Sequence, residues 1–245
     1  MGPPKRVVVQ KVKIGQNFVL VLAGLGIQAG RCFQVVIVWV RVVVNRGLIF
    51  IQGGLTSVSC QLECHIFENC TWKFYNSLPS KRSFGTLTTM TDSSSTFIIG
   101  GEENSRKQLT SVDKLIDGQW KAVEPLMEPI SRHCAVPLED REEVFLIGGH
   151  IGSDPFSDQC MRYDAKTGES TFLQTKLKRG GQLHSCATIG SNKIVVVGGR
   201  DSRGTMKSVE VYDLQRSKWT EPKNLELPLG ICYAGITPHP TGKKN

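Results

Sequence analysis

The chain has 245 residues, with 30 lysine and arginine residues against 22 aspartate and glutamate residues and a formal net charge of +8. The excess lies in residues 1–46, which carry seven basic residues and no acidic one. Removing those seven leaves 23 basic and 22 acidic residues in the remainder. A protein that binds nucleic acid through its phosphates needs a basic face. The charge distribution therefore argues against nucleic acid as a partner.

Residues 1–46 form a basic, valine-rich segment. Its uncharged run Phe18–Gly30 has 13 residues, too few to span a bilayer, so no membrane insertion is expected. Three interpretations stay open. Val35–Val44 is a β-strand that residues 45–47 turn into Leu48–Gln52, or the basic start and apolar run are a signal peptide, or the segment is foreign to the natural protein.

From residue 47 onward, an apolar run that ends in two glycines recurs four times. The first glycines stand at positions 53, 100, 148 and 198, which gives steps of 47, 48 and 50 residues. The clearest copies are Thr96–Gly101, Val144–Gly149 and Ile194–Gly199, and Leu48–Gly54 is a looser one. A period near 50 residues is typical of repeat architectures built from β-sheets. We number these copies repeats 1 to 4.

Aromatic residues recur at a nearly constant distance from the glycine pairs. Trp72, Trp120 and Trp219 follow the second glycine of repeats 1, 2 and 4 by 18, 19 and 20 residues. Repeat 3 has Ser170 at or near this place, with Phe172 as the nearby aromatic residue. A large aromatic side chain at a fixed place predicts a packing role between neighbouring sheets.

Two further marks complete the repeat. Tyr163-Asp164 and Tyr212-Asp213 precede the tryptophan place in repeats 3 and 4, whereas repeat 2 has Ser111-Val-Asp113 and lacks the tyrosine. A proline-containing link and then an arginine follow the tryptophan, as in the links that end at Arg82 and Arg132. This order of Gly-Gly, Tyr-Asp, Trp, Pro and Arg resembles the kelch repeat over residues 47–236, about three quarters of the chain.

The resemblance implies an all-β fold, a kelch-type β-propeller with about four recognisable blades in a partial or irregular ring. Residues 1–46 would be a separate N-terminal segment and residues 47–245 the kelch-repeat propeller, with glycine pairs at 53–54, 100–101, 148–149 and 198–199. Repeat 1, from Val35 to about Tyr75, is the least regular. Gly230–Thr237 is expected to be the first strand of a further blade.

In a kelch blade the first strand follows the arginine, the second ends in Gly-Gly, the third carries Tyr-Asp and the fourth carries the tryptophan. Repeat 2 would consist of Arg82–Met90, Thr96–Gly101, Leu109–Leu115 and Gln119–Val123. Repeat 3 would consist of Arg132–Leu138, Glu143–Gly149, Gln159–Asp164 and Ser170–Gln174. Repeat 4 would consist of Leu183–Ile189, Lys193–Gly199, Lys207–Asp213 and Lys218–Glu221.

The repeated residues themselves are expected to be structural and not reactive. Paired glycines permit positive φ and a close approach of neighbouring chain, and the aromatic residues supply apolar area. These residues are Gly53, Gly54, Gly100, Gly101, Gly148, Gly149, Gly198, Gly199, Trp72, Trp120, Tyr163, Tyr212 and Trp219.

Neither a catalytic nor a metal site is predicted. Cys60, Cys64 and Cys70 match none of the common zinc spacings. No Gly-x-Ser-x-Gly elbow or phosphate loop is present, and His133 and His184 recur at equivalent places, which favours a structural role. We therefore expect no enzyme activity, no metal and no cofactor; the alternative is a propeller enzyme, galactose-oxidase-like or sugar-processing.

Binding is the favoured function, because loops held by a rigid scaffold tend to carry it. The resemblance places it on the loops after the Gly-Gly strands and on the links between blades. The loops are Leu55–Ser59, Glu102–Gln108, His150–Asp158 and Arg200–Met206, and the links include Ser80–Arg82, Glu128–Arg132 and Lys178–Gln182. The candidate binding residues in or beside them are Arg82, Arg106, Arg132, His150, Arg200 and Arg203.

Guanidinium groups bind carboxylates well, so the predicted ligand is a protein or an acidic peptide. The alternative is that these arginines are solvated loop charges that pair with Glu102, Glu103, Asp154 and Asp201. Kelch proteins include substrate adaptors of cullin ubiquitin ligases and actin-binding proteins, and such partners follow from the resemblance alone. We expect a cytoplasmic location; the alternative is a secreted adhesion protein, which the sequon Asn69-Cys70-Thr71 would fit.

Overall fold

The computed structural model describes residues 10–14, 17–21, 49–52, 61–68, 71–90, 95–103 and 106–234. Within these residues there are 21 β-strands and one short 3-10 helix, Glu139–Arg141. All the sheets are antiparallel, and three of them have four strands. The predicted all-β fold, a partial kelch-type β-propeller, is confirmed. Among the described residues, no helix has the length and apolar character needed to cross a membrane.

The chain divides into two compact units, residues 1–125 and residues 126–245. The first unit contains a hairpin, a three-stranded sheet and the four-stranded sheet of repeat 2. The strands of the hairpin and of the three-stranded sheet are β1 Gln10–Ile14, β2 Asn17–Val21, β3 Ile49–Gln52, β4 Gln61–Glu68 and β5 Thr71–Arg82. Those of repeat 2 are β6 Thr86–Met90, β7 Ser95–Ile99, β8 Val112–Ile116 and β9 Gln119–Val123.

Strand β5 packs on repeat 2 through an apolar cluster with a polar contact at its edge. Leu78 of β5 and Ile98 of β7 belong to the same buried cluster as Trp120. The indole N–H of Trp120 donates to Asn76 Oδ1 at 3.0 Å, and Asn76 Nδ2 donates to the Gly118 carbonyl at 2.8 Å. The tryptophan place of repeat 2 therefore has the packing role expected of it.

The second unit contains repeats 3 and 4, each a four-stranded sheet with a short strand pair or hairpin at one end. Repeat 3 comprises β10 Ile130–Ser131, β11 Cys134–Leu138, β12 Glu143–Ile147, β13 His150–Ile151, β14 Cys160–Asp164 and β15 Ser170–Phe172. Repeat 4 comprises β16 Ser185–Ile189, β17 Lys193–Val197, β18 Arg200–Asp201, β19 Gly204–Thr205, β20 Val209–Asp213 and β21 Lys218–Thr220.

The core of the second unit lies between repeats 3 and 4. Phe145 and Ile147 of β12 contribute to one buried cluster with Ile194, Tyr212 and Trp219 of repeat 4. The Tyr212 ring centroid lies 5.1 Å from that of Phe145 and 4.9 Å from that of Trp219. Centroid distances in this range are favourable for aromatic pairs, so these residues hold the two sheets together.

The paired glycines end the second strands in left-handed conformations. Gly148 and Gly149 have φ of 57° and 98°. A Cβ atom on Gly149 would lie 2.5 Å from the Ser131 carbonyl oxygen, closer than side chains tolerate. Gly199 has φ of 99°, and a Cβ there would lie 2.5 Å from the His184 ring. Glycine is needed at these positions for both its conformation and its small size.

Strand pairing corrects one equivalence that the sequence led us to expect. Tyr163 pairs with Ser170 and Tyr212 pairs with Trp219, and in repeat 2 the residue paired with Trp120 is Leu115. Leu115 therefore takes the tyrosine place. Asp113 lies two residues earlier, at the place that Glu210 has in repeat 4.

The predicted strand bounds differ from the observed ones mainly at the start of each repeat. Arg82 is the last residue of β5, and the first strand of repeat 2 begins at Thr86. Gly230–Ala234, the described part of Gly230–Thr237, contains no strand. It nevertheless repeats the contacts that open repeat 4: Leu183 N–H donates to the Arg132 carbonyl at 2.8 Å, and Tyr233 N–H donates to the Leu183 carbonyl at 3.2 Å.

Several predictions lie outside the described residues: most of residues 1–46, the boundary at 46/47, Gly53, Gly54, the loop Leu55–Ser59, Cys60, Cys70 and the end of Gly230–Thr237. The side chain of Trp72 belongs with them, although its backbone lies in β5.

Candidate functional site

The predicted loops and links come together at one end of each sheet. In repeat 2, Ser83, which directly follows the link Ser80–Arg82, forms a β-bridge with Glu102, the residue after Gly-Gly. In repeat 3, strand β10 of the link pairs with β13 of the loop, and in repeat 4 Gln182 bridges to Arg200. In these three repeats the link and the loop therefore form a joint extension beyond the Gly-Gly end.

The side chain of Arg82 is not on this surface, so the prediction that Arg82 binds a partner is wrong. Its side chain is 1% exposed and forms an ion pair with Asp113, which is equally buried. Its guanidinium also donates to the Gly100 carbonyl at 3.3 Å. Buried charge must be paired to be tolerated, so the role of Arg82 is to join the link to β8.

Arg132 is not the counterpart of Arg82, although both follow a proline by three residues. Ser83 and Ser131 occupy equivalent bridge positions, so Arg132 corresponds to Phe84. Arg132 is half-buried and its guanidinium donates to Gln182 Oε1 at 3.3 Å. This bond joins the links of repeats 3 and 4.

The residue at this place has a left-handed backbone in repeats 2, 3 and 4, and again at Tyr233 after repeat 4. Phe84, Arg132, Leu183 and Tyr233 have φ of 56°, 57°, 62° and 58°. Left-handed non-glycine residues are uncommon and demand local support. In repeats 2, 3 and 4 this residue marks the point where the link turns into the first strand.

The remaining candidate residues lie at or near the surface. Arg106 is exposed in the repeat 2 loop, where its N–H donates to the Glu103 carbonyl at 2.9 Å. His150 begins β13 and is half-buried. Arg200 is exposed at the start of β18. The structure thus places Arg106, His150, Arg200 and Arg203 on the link–loop ends, and Arg132 at their edge.

Asp201 shapes the repeat 4 loop. Its Oδ1 accepts the N–H groups of Arg203 at 2.8 Å and Gly204 at 3.1 Å, and its Oδ2 accepts from the Arg203 guanidinium at 2.9 Å. Partial burial opposes ionisation of Asp201, but these bonds outweigh it and lower its pKa. The pair Arg203–Asp201 is the kind of loop ion pair that the alternative interpretation expects.

Glu210 is a buried carboxylate that sequence reasoning missed. It is 3% exposed and accepts the backbone N–H groups of Lys178 at 2.7 Å and Arg179 at 2.9 Å. Burial raises the pKa of Glu210, and the two N–H donors oppose that rise in part. The sequence of β20 does not predict this contact, because the residues that donate to Glu210 lie about 30 residues earlier in the chain.

His133 and His184 lie directly before β11 and β16, next to the glycine pairs. Both imidazoles are buried, and desolvation lowers the pKa of His133 to about 3 and that of His184 to about 4. The His184 ring approaches both Gly148 and Gly199. The His184 ring fills space that these glycines leave.

The described part of the chain offers little that is reactive. No three His, Cys, Asp or Glu side chains within it cluster in a way that could hold a metal ion. Cys160 is buried, and desolvation raises the pKa of its thiol to about 12, which disfavours the nucleophilic thiolate.

Residues 183–226, which span the four strands of repeat 4, match the family model of the kelch motif. Repeat 4 is thus similar to the kelch motif. The kelch relatives include Kelch-like protein 41a of Danio rerio, 24% identical over 189 residues, or 74% of this chain and 31% of the relative. The F-box/kelch-repeat protein SKIP20 of Arabidopsis thaliana is 29% identical over 121 residues, 46% of this chain and 28% of the relative.

A third relative, Kelch-like protein 36 of Bos taurus, is 25% identical over 170 residues, which cover 65% of this chain and 27% of the relative. The chain thus spans less than a third of the length of each of these curated relatives. Its repeat 4 carries the tyrosine, aspartate and tryptophan of the motif at Tyr212, Asp213 and Trp219.

Proposed function

We propose that this kelch-repeat chain is a non-catalytic protein-interaction module that binds a partner protein through the link–loop ends of its repeats. The observation that carries the proposal is the pairing of link and loop at the Gly-Gly end of repeats 2, 3 and 4. Each sheet is a rigid support for a short irregular segment, and such segments commonly carry binding residues.

The kelch-like and F-box/kelch-repeat names of the relatives support an interaction or adaptor role. The finer form of the proposal, expected from the kelch resemblance, is substrate recognition for a cullin ubiquitin ligase or association with actin. The cytoplasmic location stays a prediction.

The ligand we propose is an acidic segment of the partner. In the first unit, Arg106 is exposed on the link–loop end of repeat 2. In the second unit, Arg200 and Arg203 are exposed on the link–loop end of repeat 4, and Arg132 and His150 are half-buried on that of repeat 3. Arginine donates two parallel hydrogen bonds to a carboxylate, which gives both affinity and orientation. Arg82 takes no part, because it is buried.

The test is a selection from a random peptide library on the immobilised full chain, followed by binding measurements on the selected peptides. We expect acidic peptides to be enriched. The double variant Arg132→Ala/Arg200→Ala should bind them at least about tenfold more weakly, a loss of about 1.4 kcal/mol.

The matched control is Lys166→Ala. Lys166 is exposed in the turn after β14, at the end of the repeat 3 sheet opposite Gly148. This variant removes one positive charge without touching the link–loop ends, so it should bind as the unchanged chain does. A selection without acidic enrichment, or equal losses in both variants, would contradict the proposal.

A further inference from the structure

In the second unit, a cavity of about 310 Å³ lies beside the repeat 4 loop. Three basic residues line it: Arg203 of the loop, Lys207 directly after the loop and Arg179 of the preceding link. Two acidic residues, Asp201 and Glu226, lie among them. The lining has more positive than negative charge, so it favours an anion.

A hydroxyl group belongs to the same lining. Thr205, the last residue of the β18–β19 hairpin, lines the cavity and is exposed. Within the described part of the chain its hydroxyl group makes no hydrogen bond. Gly230 lies against it, since a Cβ atom on Gly230 would be 2.7 Å from Thr205 Oγ1. Because glycine has no side chain, this neighbour does not cover the hydroxyl.

Arg203 is held by the loop but keeps donors for an anion. Asp201 Oδ1 accepts the Arg203 backbone N–H at 2.8 Å, and Asp201 Oδ2 accepts from the Arg203 guanidinium at 2.9 Å. The Arg203 side chain is nevertheless 77% exposed, and a guanidinium has five N–H donors, more than this contact uses. Arg203 can therefore bind a second anion without leaving Asp201.

The two other cations of the cavity are weakly compensated. Lys207 is exposed and forms no ion pair with any described residue. Arg179 Nε lies 3.3 Å from Glu221 Oε1, and both side chains are partly exposed, so this pair is weak. A dianion in the cavity would thus meet three cations that have donors left for it.

The residues around Thr205 fit the acidic cleft of a protein kinase that selects basic substrates. Arg203 stands two residues before Thr205 and Lys207 two residues after it, with Arg200 five residues before. Kinases commonly select their substrates by such charge patterns. The β18–β19 pairing is only two residues long, and a pairing so short opens at low cost. Residues 203–207 can therefore enter a kinase as an extended segment.

We infer that Thr205 is a phosphorylation site and that the cavity binds the phosphate in the same chain. A protein kinase transfers the terminal phosphoryl group of a nucleoside triphosphate to Thr205 Oγ1. The bond from this phosphorus to the diphosphate breaks as the Oγ1–P bond forms, and the hydroxyl proton passes to a carboxylate of the kinase. The phosphate then binds Arg203, Lys207 and Arg179 through charge-assisted hydrogen bonds.

The modification takes Arg203 away from the proposed partner-binding surface. A phosphate on Thr205 carries about 1.5 to 2 negative charges near neutral pH, so it also repels the carboxylates of an acidic ligand. Phosphorylation is therefore an off-switch for the link–loop end of repeat 4. This regulatory part rests on the proposed function, whereas the modification and the binding of its phosphate do not.

The first test treats the full chain with a kinase of this selectivity and locates the phosphate by mass spectrometry. We expect Thr205 to carry most of the phosphate and Thr205→Val to incorporate at least fivefold less. Thr167 is the internal control: it is exposed in the turn after β14 but has Asp164 and Glu169 close by in the sequence, so it should stay unmodified. A chain that is not phosphorylated at Thr205 would overturn the inference.

The second test asks whether the phosphate lies in the cavity. Nearby cations favour the phosphate dianion and lower its second pKa, which is about 6 for an unpaired phosphate. Phosphorus NMR of the modified chain measures this pKa. We expect it to be at least about half a unit lower in the folded chain than in the same chain unfolded in urea.

Two variants then locate the phosphate. Arg179→Gln leaves residues 200–207 and thus kinase recognition intact, and it should remove at least half of the pKa difference. The matched control Lys178→Gln removes the same charge one residue earlier, outside the cavity lining, and should leave the pKa as it is. No pKa difference between the folded and the unfolded chain, or equal effects of the two variants, would show that the cavity does not hold the phosphate.

Peptide binding separates the inference from the proposed function. The acidic peptides selected on the unmodified chain should bind the phosphorylated chain at least tenfold more weakly. Equal binding of both forms overturns the regulatory part and leaves the proposed function standing. If no acidic peptide binds either form, the proposed function is wrong, and the pKa of the phosphate alone decides the inference.

Discussion

At the scale of single residues, buried carboxylates at equivalent places in two repeats have different partners. Asp113 and Glu210 occupy the same place on the third strand, and both are buried. Asp113 is neutralised by the side chain of Arg82, whereas Glu210 is satisfied by two backbone N–H groups. In repeats 2 and 4 the link thus supplies the partner of a buried carboxylate, by a side chain in one and by the backbone in the other.

We expect Arg82→Met to destabilise the protein by about 3–5 kcal/mol, because it leaves the Asp113 carboxylate buried without its charged partner. The double variant Arg82→Met/Asp113→Leu should recover most of this loss, because neither charge then needs compensation. Urea unfolding followed by tryptophan fluorescence measures both. Arg216→Ala, which removes the exposed Arg216–Asp213 pair, is the control and should leave the midpoint unchanged.

An Arg82→Met variant as stable as the unchanged chain would show that Asp113 does not depend on this arginine. A double variant less stable than the single one would show that the two residues matter through their packing and not through their charges.

At the scale of elements, the strands were predictable because their signals are local. An apolar run that ends in Gly-Gly defines β7, β12 and β17 without knowledge of the rest of the chain, and Gln119–Val123 was predicted with the bounds that β9 has. The kelch motif match over residues 183–226 likewise falls on repeat 4.

The links were harder to predict than the strands. Arg82 and Arg132 each follow a proline by three residues, yet β5 continues through Arg82 whereas Arg132 follows the end of β10. The spacing from proline to arginine is the same in both links, yet the two arginines differ by two positions in their place within the repeat. The partners of Asp113 and Glu210 lie about 30 residues away along the chain, and no local pattern encodes such a contact.

The end of a second strand is where an element meets its neighbour most tightly, and this makes Gly149 a sensitive position. Gly149→Ala should cost about 3 kcal/mol, because an alanine at φ of 98° is strained and its Cβ would meet the Ser131 carbonyl. Gly190→Ala is the control: Gly190 also has positive φ, 60°, but a Cβ there meets nothing within 4 Å.

Gly190→Ala should therefore show only the conformational cost, about 1 kcal/mol. Thermal melts of both variants measure the difference. Equal losses would mean that the contact with β10 can move aside, and that Gly149 is required for its conformation alone.

At the scale of the whole molecule, the two compact units are built by the same rule. In each, a left-handed residue opens the repeat, a glycine pair ends its second strand and apolar side chains fill the space between sheets. In the second unit the rings of His133 and His184 are buried as well. Because an imidazole ring can take up a proton, these two residues make the stability of the protein depend on pH.

We expect stability to fall as the pH is lowered from about 6.5 to 4. In the unfolded chain both imidazoles titrate near pH 6.5, whereas in the folded protein desolvation lowers the pKa of His184 to about 4 and that of His133 to about 3. In this window the unfolded chain binds protons that the folded protein does not. The contribution of the two neutral histidines to the free energy of unfolding is therefore present above pH 6.5 and is lost as the pH falls. Each histidine should cost on the order of 3 kcal/mol by pH 4.

The urea midpoint between pH 7 and pH 4 measures this effect, and His184→Asn isolates it. The variant removes one buried titrating group. Its loss of unfolding free energy between pH 7 and pH 5 should therefore be about half that of the unchanged chain. The raised pKa of Glu210 acts in the opposite direction and is common to both proteins. The lowered pKa values of Asp164 and Asp213 act only below about pH 4, because their unfolded values lie there. If the two proteins lose stability in parallel, the buried imidazoles do not set the acid limit of the fold.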